Sequence, residues 1–218
     1  MLASSSQFAE LVELFRLEGE KHTYKKGEFI IRPGQAAWGV FYIESGLIKV
    51  YDITKYNEEN LYVIRKENEI FPLIWALSGK DKTAVYQALT QTTTLRVSRN
   101  TLLDFINNQP EMLAPILDMT LEMSKLSSDR IINLEFRTVR ERIVSYLITL
   151  SEHYPTVNTE EGIVIEVPLR HQDIASSINA SRETTSRELS ALERKGHVTT
   201  KGSFIVIKDL EALKQFLN

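Results

Sequence analysis

The sequence predicts an α+β chain in three parts: a β-rich N-terminal half, one long helix, and a C-terminal winged helix-turn-helix. Three observations predict it. From His22 to Ser98 the chain breaks into short β-rich runs between turn-formers, the pattern of a sandwich or barrel. From Glu111 to Leu134 apolar residues hold a helical period without a break. Last, Pro168–Val198, PLRHQDIASSINASRETTSRELSALERKGHV, reads as two short helices on a tight turn, and β-rich runs about a glycine follow it.

In the N-terminal half, Phe8, Leu11, Val12 and Phe15 recur at helical spacing, so residues 4–17 should form a short amphipathic helix. The turn-formers beyond it are Lys26-Gly27-Glu28, Pro33-Gly34, Ser45-Gly46, Lys55–Asn60, Lys66–Glu69 and Ser78–Asp81. Strands are expected at Phe29–Arg32, Val40–Glu44, Leu47–Thr54, Leu61–Arg65, Val85–Leu89 and Thr94–Ser98, with a return to helix at Asn100–Asn108.

The long helix carries two apolar stripes. Ile116, Met119, Met123 and Leu126 make one. Leu113, Leu117, Thr120, Ser124, Ser127, Ile131 and Leu134 make the other, at alternating four- and three-residue steps. Two stripes imply two partners, the helix's own β-rich half and its twin in a dimer. A lone core helix is the alternative, and the polar-punctuated seam favours the pair. Pro115 is tolerable only because it falls near the first turn.

Phe136-Arg137-Thr138 reads as a hinge, and Thr138-Val-Arg-Glu141 as a capping box opening a helix that turns Val139, Ile143, Leu147 and Leu150 inward. His153-Tyr-Pro155 ends that helix. Thr156–Gly162 reads as a polar loop and Ile163–Val167 as a strand. In the helix pair, Ile174, Ala175 and Ile178 line the first helix, and Leu189 and Leu192 the second. Asn179-Ala180-Ser181 can turn the chain because Asn tolerates a left-handed backbone, and Ser181 stands at an N-cap position. Gly196 stops the second helix, and Val198–Lys201, Gly202 and Phe204–Ile207 spell a wing. Asp209 is placed to cap a last short helix.

The N-terminal end of the second helix is polar: Arg182, Glu183, Thr184, Ser186, Arg187. Arg suits guanine, Glu the cytosine amino group, and Ser or Thr either base edges or phosphate. A helix-turn-helix sends this end into the major groove. His171 and Gln172 open the first helix, where phosphate contacts are usual, and Lys201 at the wing turn is a further candidate DNA contact. A helical hairpin with a merely solvated face is the alternative.

Ser181-Arg182-Glu183-Thr184 followed by Ser186-Arg187 resembles the recognition helix of the cyclic-AMP receptor / fumarate-nitrate regulator superfamily of bacterial transcription factors. The resemblance implies that Arg182, Glu183 and Arg187 contact bases, in half-sites close to TGTGA or TTGAT. It extends to the N-terminal half, where Lys26-Gly27-Glu28, Pro33-Gly34 and Phe41-Tyr42-Ile43 leading to Gly46 match landmarks of a cyclic-nucleotide-binding β-roll. Those glycines also suit any β-roll.

The ligand cassette departs from that family. Its cyclic-AMP binders carry a Gly-Glu pair on the ribose and an Arg-Ser/Thr-Ala run on the phosphate. Here Phe71-Pro72-Leu73-Ile74-Trp75 stands at the first place and Lys82-Thr83-Ala84 at the second. Proline offers no amide donor, and lysine a point charge instead of a bidentate fork. Cyclic AMP is therefore not the expected effector. Phe71, Trp75 and Tyr86 either line a repurposed pocket, with Lys82 or Arg65 facing an anion and Thr83 as a further ligand contact, or fill the core. The resemblance implies that Ser127 and Ser128 reach toward a ligand from the long helix.

The totals bound the rest. A chain of 218 residues with 43% hydrophobic composition fits one or two domains. No apolar run approaches membrane-spanning length, and Met1-Leu-Ala-Ser-Ser-Ser lacks a signal peptide's regions. With no cysteine, the chain cannot ligate iron–sulfur clusters or haem through thiolate, and it fits the cytoplasm. The net charge of −3 is unevenly spread. Residues 168–218 hold eight Lys/Arg against six Asp/Glu, and residues 110–167 five against ten, which confines a basic surface to one module. The four histidines lack metal-ligand spacing, and no catalytic signature is present.

These readings predict a sensor domain at 1–109, a dimerisation helix and hinge at 110–137, and a DNA-binding domain at 138–218. The expected protein is a homodimeric, sequence-specific transcription regulator. Its partners are a double-stranded DNA near-palindrome, RNA polymerase if it activates, and, unless the dimer is constitutively competent, a small-molecule effector, with no membrane. A ligand- or protein-binding adaptor whose winged helix makes protein contacts is the alternative.

Overall fold

The computed structural model describes residues 2–80 and 84–217, organised as two units that divide between Leu126 and Ser127. In the first, α1 (Ser5–Glu18) starts from a capping box, Ser4 exchanging hydrogen bonds with Gln7. Eight strands follow: β1 (Glu20–Tyr24), β2 (Phe29–Ile31), β3 (Val40–Ser45), β4 (Ile48–Ile53), β5 (Glu59–Arg65), β6 (Ile70–Phe71), β7 (Val85–Ala88) and β8 (Thr92–Val97). They form two antiparallel four-stranded sheets, ordered β1-β8-β3-β6 and β2-β7-β4-β5. α2 (Leu73–Ser78) follows β6, and α3 (Arg99–Asn108) follows β8.

Two apolar clusters sit on opposite faces of the first sheet. Strand β3 serves both, because successive side chains alternate in direction. Phe41 and Ile43 join Ile48, Val50, Phe71 and Tyr86 between the sheets. Val40 and Tyr42 join Leu11, Phe15, Leu102 and Ile116 on the helical side. Burial on both faces explains why β3 reads as an unbroken apolar run. At the β3–β4 turn Gly46 has φ +95°, and a Cβ there would strike the Gln91 carbonyl and Thr92, so only glycine fits.

α4 (Leu113–Phe136) follows a 3-10 turn at Pro110–Met112 that takes in the expected start at Glu111. Pro115 lies in the first turn of α4, where its missing N–H costs no helical bond. Ile116 is buried and Met119, Met123 and Leu126 half-buried. Leu113, Leu117, Leu121, Ile131, Ile132 and Phe136 are exposed, Phe136 to 78%. Toward the start of α4, the Asp118 carboxylate accepts amide N–H bonds from Leu2 (2.7 and 2.8 Å) and Ala3 (2.8 Å), which hold its pKa below the ordinary carboxylate value.

The helix breaks at Arg137, and Thr138 caps α5 (Val139–His153) in a capping box with Glu141. β9 (Thr156–Thr159), β10 (Gly162–Ile165), α6 (His171–Ser177), α7 (Arg182–Arg194), β11 (Val198–Lys201), β12 (Phe204–Ile207) and α8 (Leu210–Lys214) complete the second unit. Its sheet runs β11-β12-β10-β9, all antiparallel. Asp209 caps α8 through the Ala212 amide at 3.0 Å.

Four elements depart from expectation. The stretch read as a polar loop, Thr156–Gly162, instead holds β9 paired to β10. Three of the four residues of β9 are exposed, so no buried face marks it in the sequence. β1 also lacks a run of apolar residues and is recruited by its pairing with β8. β6 is two residues long, and α2 is a six-residue helix begun directly after Pro72, both too short to carry a period.

Candidate nucleic-acid interface

The helix-turn-helix is assembled from its buried side outward. Ile174, Ala175 and Ile178 on and just after α6, and Thr185, Leu189 and Leu192 on α7, are all buried. Asn179 makes the turn with φ 53°, and the Ala180 amide donates to the Ala175 carbonyl at 3.0 Å. Arg142 on α5 pins the same turn, its Nη1 donating to the carbonyls of Ile178 (2.9 Å) and Asn179 (3.3 Å). Ser181 Oγ then accepts the Thr184 amide at 3.1 Å and fixes where α7 begins. At the other end the Gly196 amide donates to Glu193 O and the His197 amide to Leu192 O, a Schellman stop with Gly196 at φ 78°.

With α7 fixed at both ends, its polar N-terminal end projects outward. Arg182, Glu183 and Arg187 are exposed, while Thr184 and Ser186 are half-buried. The Arg187 side chain is 71% exposed. Its nearest carboxylate, Glu188, lies 3.8 Å away and is already engaged by Arg140 at 2.8 Å. The wing is tied to the other, C-terminal end of α7, where Thr200 donates to Glu193 at 2.6 Å.

Not every expected DNA contact stands open. Gln172 is exposed. His171 is half-buried, and its Nδ1 lies 2.7 Å from Ser186 Oγ, so two expected contacts meet each other. Lys201 is exposed but paired with Glu161 of the β9–β10 turn at 2.7 Å. The lysine holds that carboxyl below its ordinary pKa. Neither link is readable in the sequence, because each joins residues on different elements.

The ligand candidates of the roll sit differently. Phe71 is fully buried between Phe41 and Tyr86, with ring centroids at 5.1 and 4.9 Å. Burial raises the Tyr86 pKa. Trp75 departs from the expected grouping: it packs in the helical-side cluster, away from that stack. Ser127 and Ser128 are exposed on α4, and Lys82 and Thr83 lie outside the described residues. Arg65, considered above as an anion partner, is buried. Its Nη1 donates to Glu69 at 3.1 Å and its Nη2 to Met123 Sδ at 2.8 Å. Burial raises the Glu69 pKa against the lowering pull of Arg65. The pairing of Arg65 with Met123 is not readable in the sequence, since only the fold brings β5 and α4 together.

No group of three or more metal-ligating side chains is found among the described residues, and no described helix is long and apolar enough to cross a membrane. A β-roll, a long helix and a winged helix-turn-helix on one chain define a two-module protein with a helix-turn-helix surface of the DNA-reading type.

Comparison with known proteins gives the class its family. Residues 21–109 match the cyclic nucleotide-binding domain family, and residues 141–216 match the Crp-like helix-turn-helix domain. The global nitrogen regulator of Nostoc sp. is 27% identical, over 89% of this chain and 88% of that protein. The CRP-like cAMP-activated global transcriptional regulator of Mycobacterium tuberculosis is 23% identical, over 87% and 84%. Among solved structures, the c-di-GMP responsive global regulator CLP of Xanthomonas campestris has the same fold, with a TM-score of 0.78 at 20% identity over 92% and 99%. The chain belongs to the CRP/FNR family of transcription regulators.

Proposed function

We propose that this regulator binds near-palindromic double-stranded DNA as a homodimer and reads bases with the N-terminal end of α7. One observation carries this: Arg182, Glu183 and Arg187 stand in solvent on a helix whose other face is anchored by buried Thr185, Leu189 and Leu192. Fixed backbone with open polar ends is what direct readout requires. His171, Gln172 and Lys201 supply phosphate contacts. The exposed apolar face of α4 pairs with the same face of a second copy, an isologous contact that brings two reading heads to one site. RNA polymerase is a further partner if the protein activates, and the cytoplasm is the implied compartment.

The effector in this reading is not cyclic AMP. Relatives differ in effector by their own descriptions, cAMP for one and c-di-GMP for another, so the fold admits several. Here Pro72 stands where a ribose-holding acid is expected. Phe71, Tyr86, Arg65 and Glu69 are engaged with one another or with α4, which leaves an incoming nucleotide few open partners.

Fluorescence anisotropy with near-palindromic and scrambled duplexes tests the DNA reading, and equal affinities would defeat it. Light scattering on a Leu117→Glu/Ile131→Glu variant tests the seam. Monomers are expected, because unpaired charge in an apolar seam is costly, and intact dimers would refute it. Calorimetry with cyclic AMP and cyclic GMP tests the effector. About micromolar cyclic-AMP binding that tightens DNA binding about tenfold would overturn that part.

A further inference from the structure

His171 opens α6 and Ser186 is the fifth residue of α7, yet their side chains meet at 2.7 Å, Nδ1 to Oγ. Both were expected to face DNA separately. The structure joins them into one unit that spans the two helices.

We propose that His171 is a positioning residue that sets the donor–acceptor polarity of the Ser186 hydroxyl, and so decides which orientation of a base pair α7 accepts. The inference rests on the DNA reading by α7 proposed above. A serine hydroxyl has one proton to give and two lone pairs, so by itself it reads donors and acceptors alike. A neutral imidazole has one N–H and one bare nitrogen, and the bond at one nitrogen dictates the role of the other.

The first helix of a helix-turn-helix crosses the phosphate backbone. With Nδ1 turned to Ser186, Nε2 is the nitrogen left to meet a phosphate. A phosphate oxygen only accepts, so in the neutral ring Nε2 carries the proton. Nδ1 is then bare, and Ser186 must give it the hydroxyl proton. What Ser186 shows to DNA is lone pairs alone. In the major groove those accept from adenine N6 or cytosine N4 and are repelled by thymine O4, guanine O6 and guanine N7. The backbone contact of one helix thus fixes the base preference of the next. A T·A pair in place of A·T, or G·C in place of C·G, brings an acceptor where the amino group stood.

The test is an anisotropy titration of the full-length protein on a near-palindromic duplex and on duplexes with each base pair of one half-site reversed in turn. The wild type should discriminate against reversal at the pair facing Ser186 by about tenfold. Ser186→Ala should reduce that ratio to about twofold. His171→Gln, whose longer amide still reaches a phosphate from near the Nε2 position but leaves Ser186 unpartnered, should reduce it equally. The double variant should be no worse than either single one, because the two side chains act as a unit. His171→Asn, whose side-chain carbonyl can reach the Nδ1 position and accept the Ser186 proton, should recover part of the discrimination while weakening binding to every duplex. Each ratio compares two duplexes on the same protein sample, so partial loss of folded protein cancels.

Unchanged discrimination in His171→Gln, or single losses that multiply in the double variant, would overturn the pairing while leaving the reading by α7 intact. A wild type with no preference for the near-palindrome over scrambled DNA would bring down both.

Discussion

The two modules treat their chemically expressive side chains in opposite ways. On α7 the apolar face is committed to the core, and Arg182, Glu183 and Arg187 are left in solvent. In the roll, Phe71, Tyr86 and Arg65 are themselves core, closed on Phe41, Glu69 and Met123. A surface reader can change its side chains with little effect on folding. A buried cluster cannot, because its polar groups are already one another's solvent. Any effector in the roll therefore competes with contacts the chain makes to itself.

That contrast can be broken at several points. Phe71→Ala should destabilise by about 3–5 kcal/mol in urea titration, since it empties the middle of a three-ring stack. A loss under about 1 kcal/mol would mean the stack is not core and the contrast fails. Arg65→Leu should cost about 3 kcal/mol, because it strands Glu69 as a largely buried carboxylate. This loss should depend on pH. Burial already raises the Glu69 pKa in the folded state, and without Arg65 it rises further. A raised folded value favours folding at low pH and ceases to as pH climbs through it, so the defect should be larger near pH 8 than near pH 5. Equal losses at both would remove the buried carboxylate from the account.

On the reading side, Arg187→Ala should weaken binding to the specific duplex by about 1–3 kcal/mol and relax preference at one guanine, while changing folding stability by less than about 0.5 kcal/mol. Uniform weakening on all sequences would make Arg187 a phosphate contact instead. The smallest effect expected is at the break between α4 and α5. Thr138→Ala should cost about 1 kcal/mol of stability through the lost cap, with base discrimination unchanged. A change in discrimination would show that this cap communicates with α7.

How much was legible in the sequence follows the same divide. Ser181, Asn179, Gly196 and the buried spacing of α7 act locally, each within about a turn of its neighbours, and the sequence shows them directly. The half-buried stripe of α4 was legible for the same reason, whereas the exposed apolar residues also take in Leu121, Ile132 and Phe136, which lie outside the heptad spacing. What escaped depended on pairing at a distance. β9 and β1 have little apolar signal of their own and exist because β10 and β8 hold them. Trp75 could not be assigned to a layer, because α2 is too short for its period to point. Arg65 with Met123, and His171 with Ser186, are set by how elements cross, which no spacing along the chain encodes.

The Lys201–Glu161 pair changes what a salt titration would count. A basic side chain that neutralises a DNA phosphate releases a condensed cation, and log affinity falls by about 0.9 per such contact for each unit of log salt. On the DNA reading proposed above, Lys201 approaches a phosphate with its own carboxylate beside it, and the Glu161 charge offsets that of the lysine. The pair brings almost no net charge to the DNA, so this contact adds little to the slope. A slope read at face value would undercount phosphate contacts by about one per subunit. Replacing Glu161 by Gln should make the missing contact visible, steepening the slope and tightening binding most at low ionic strength.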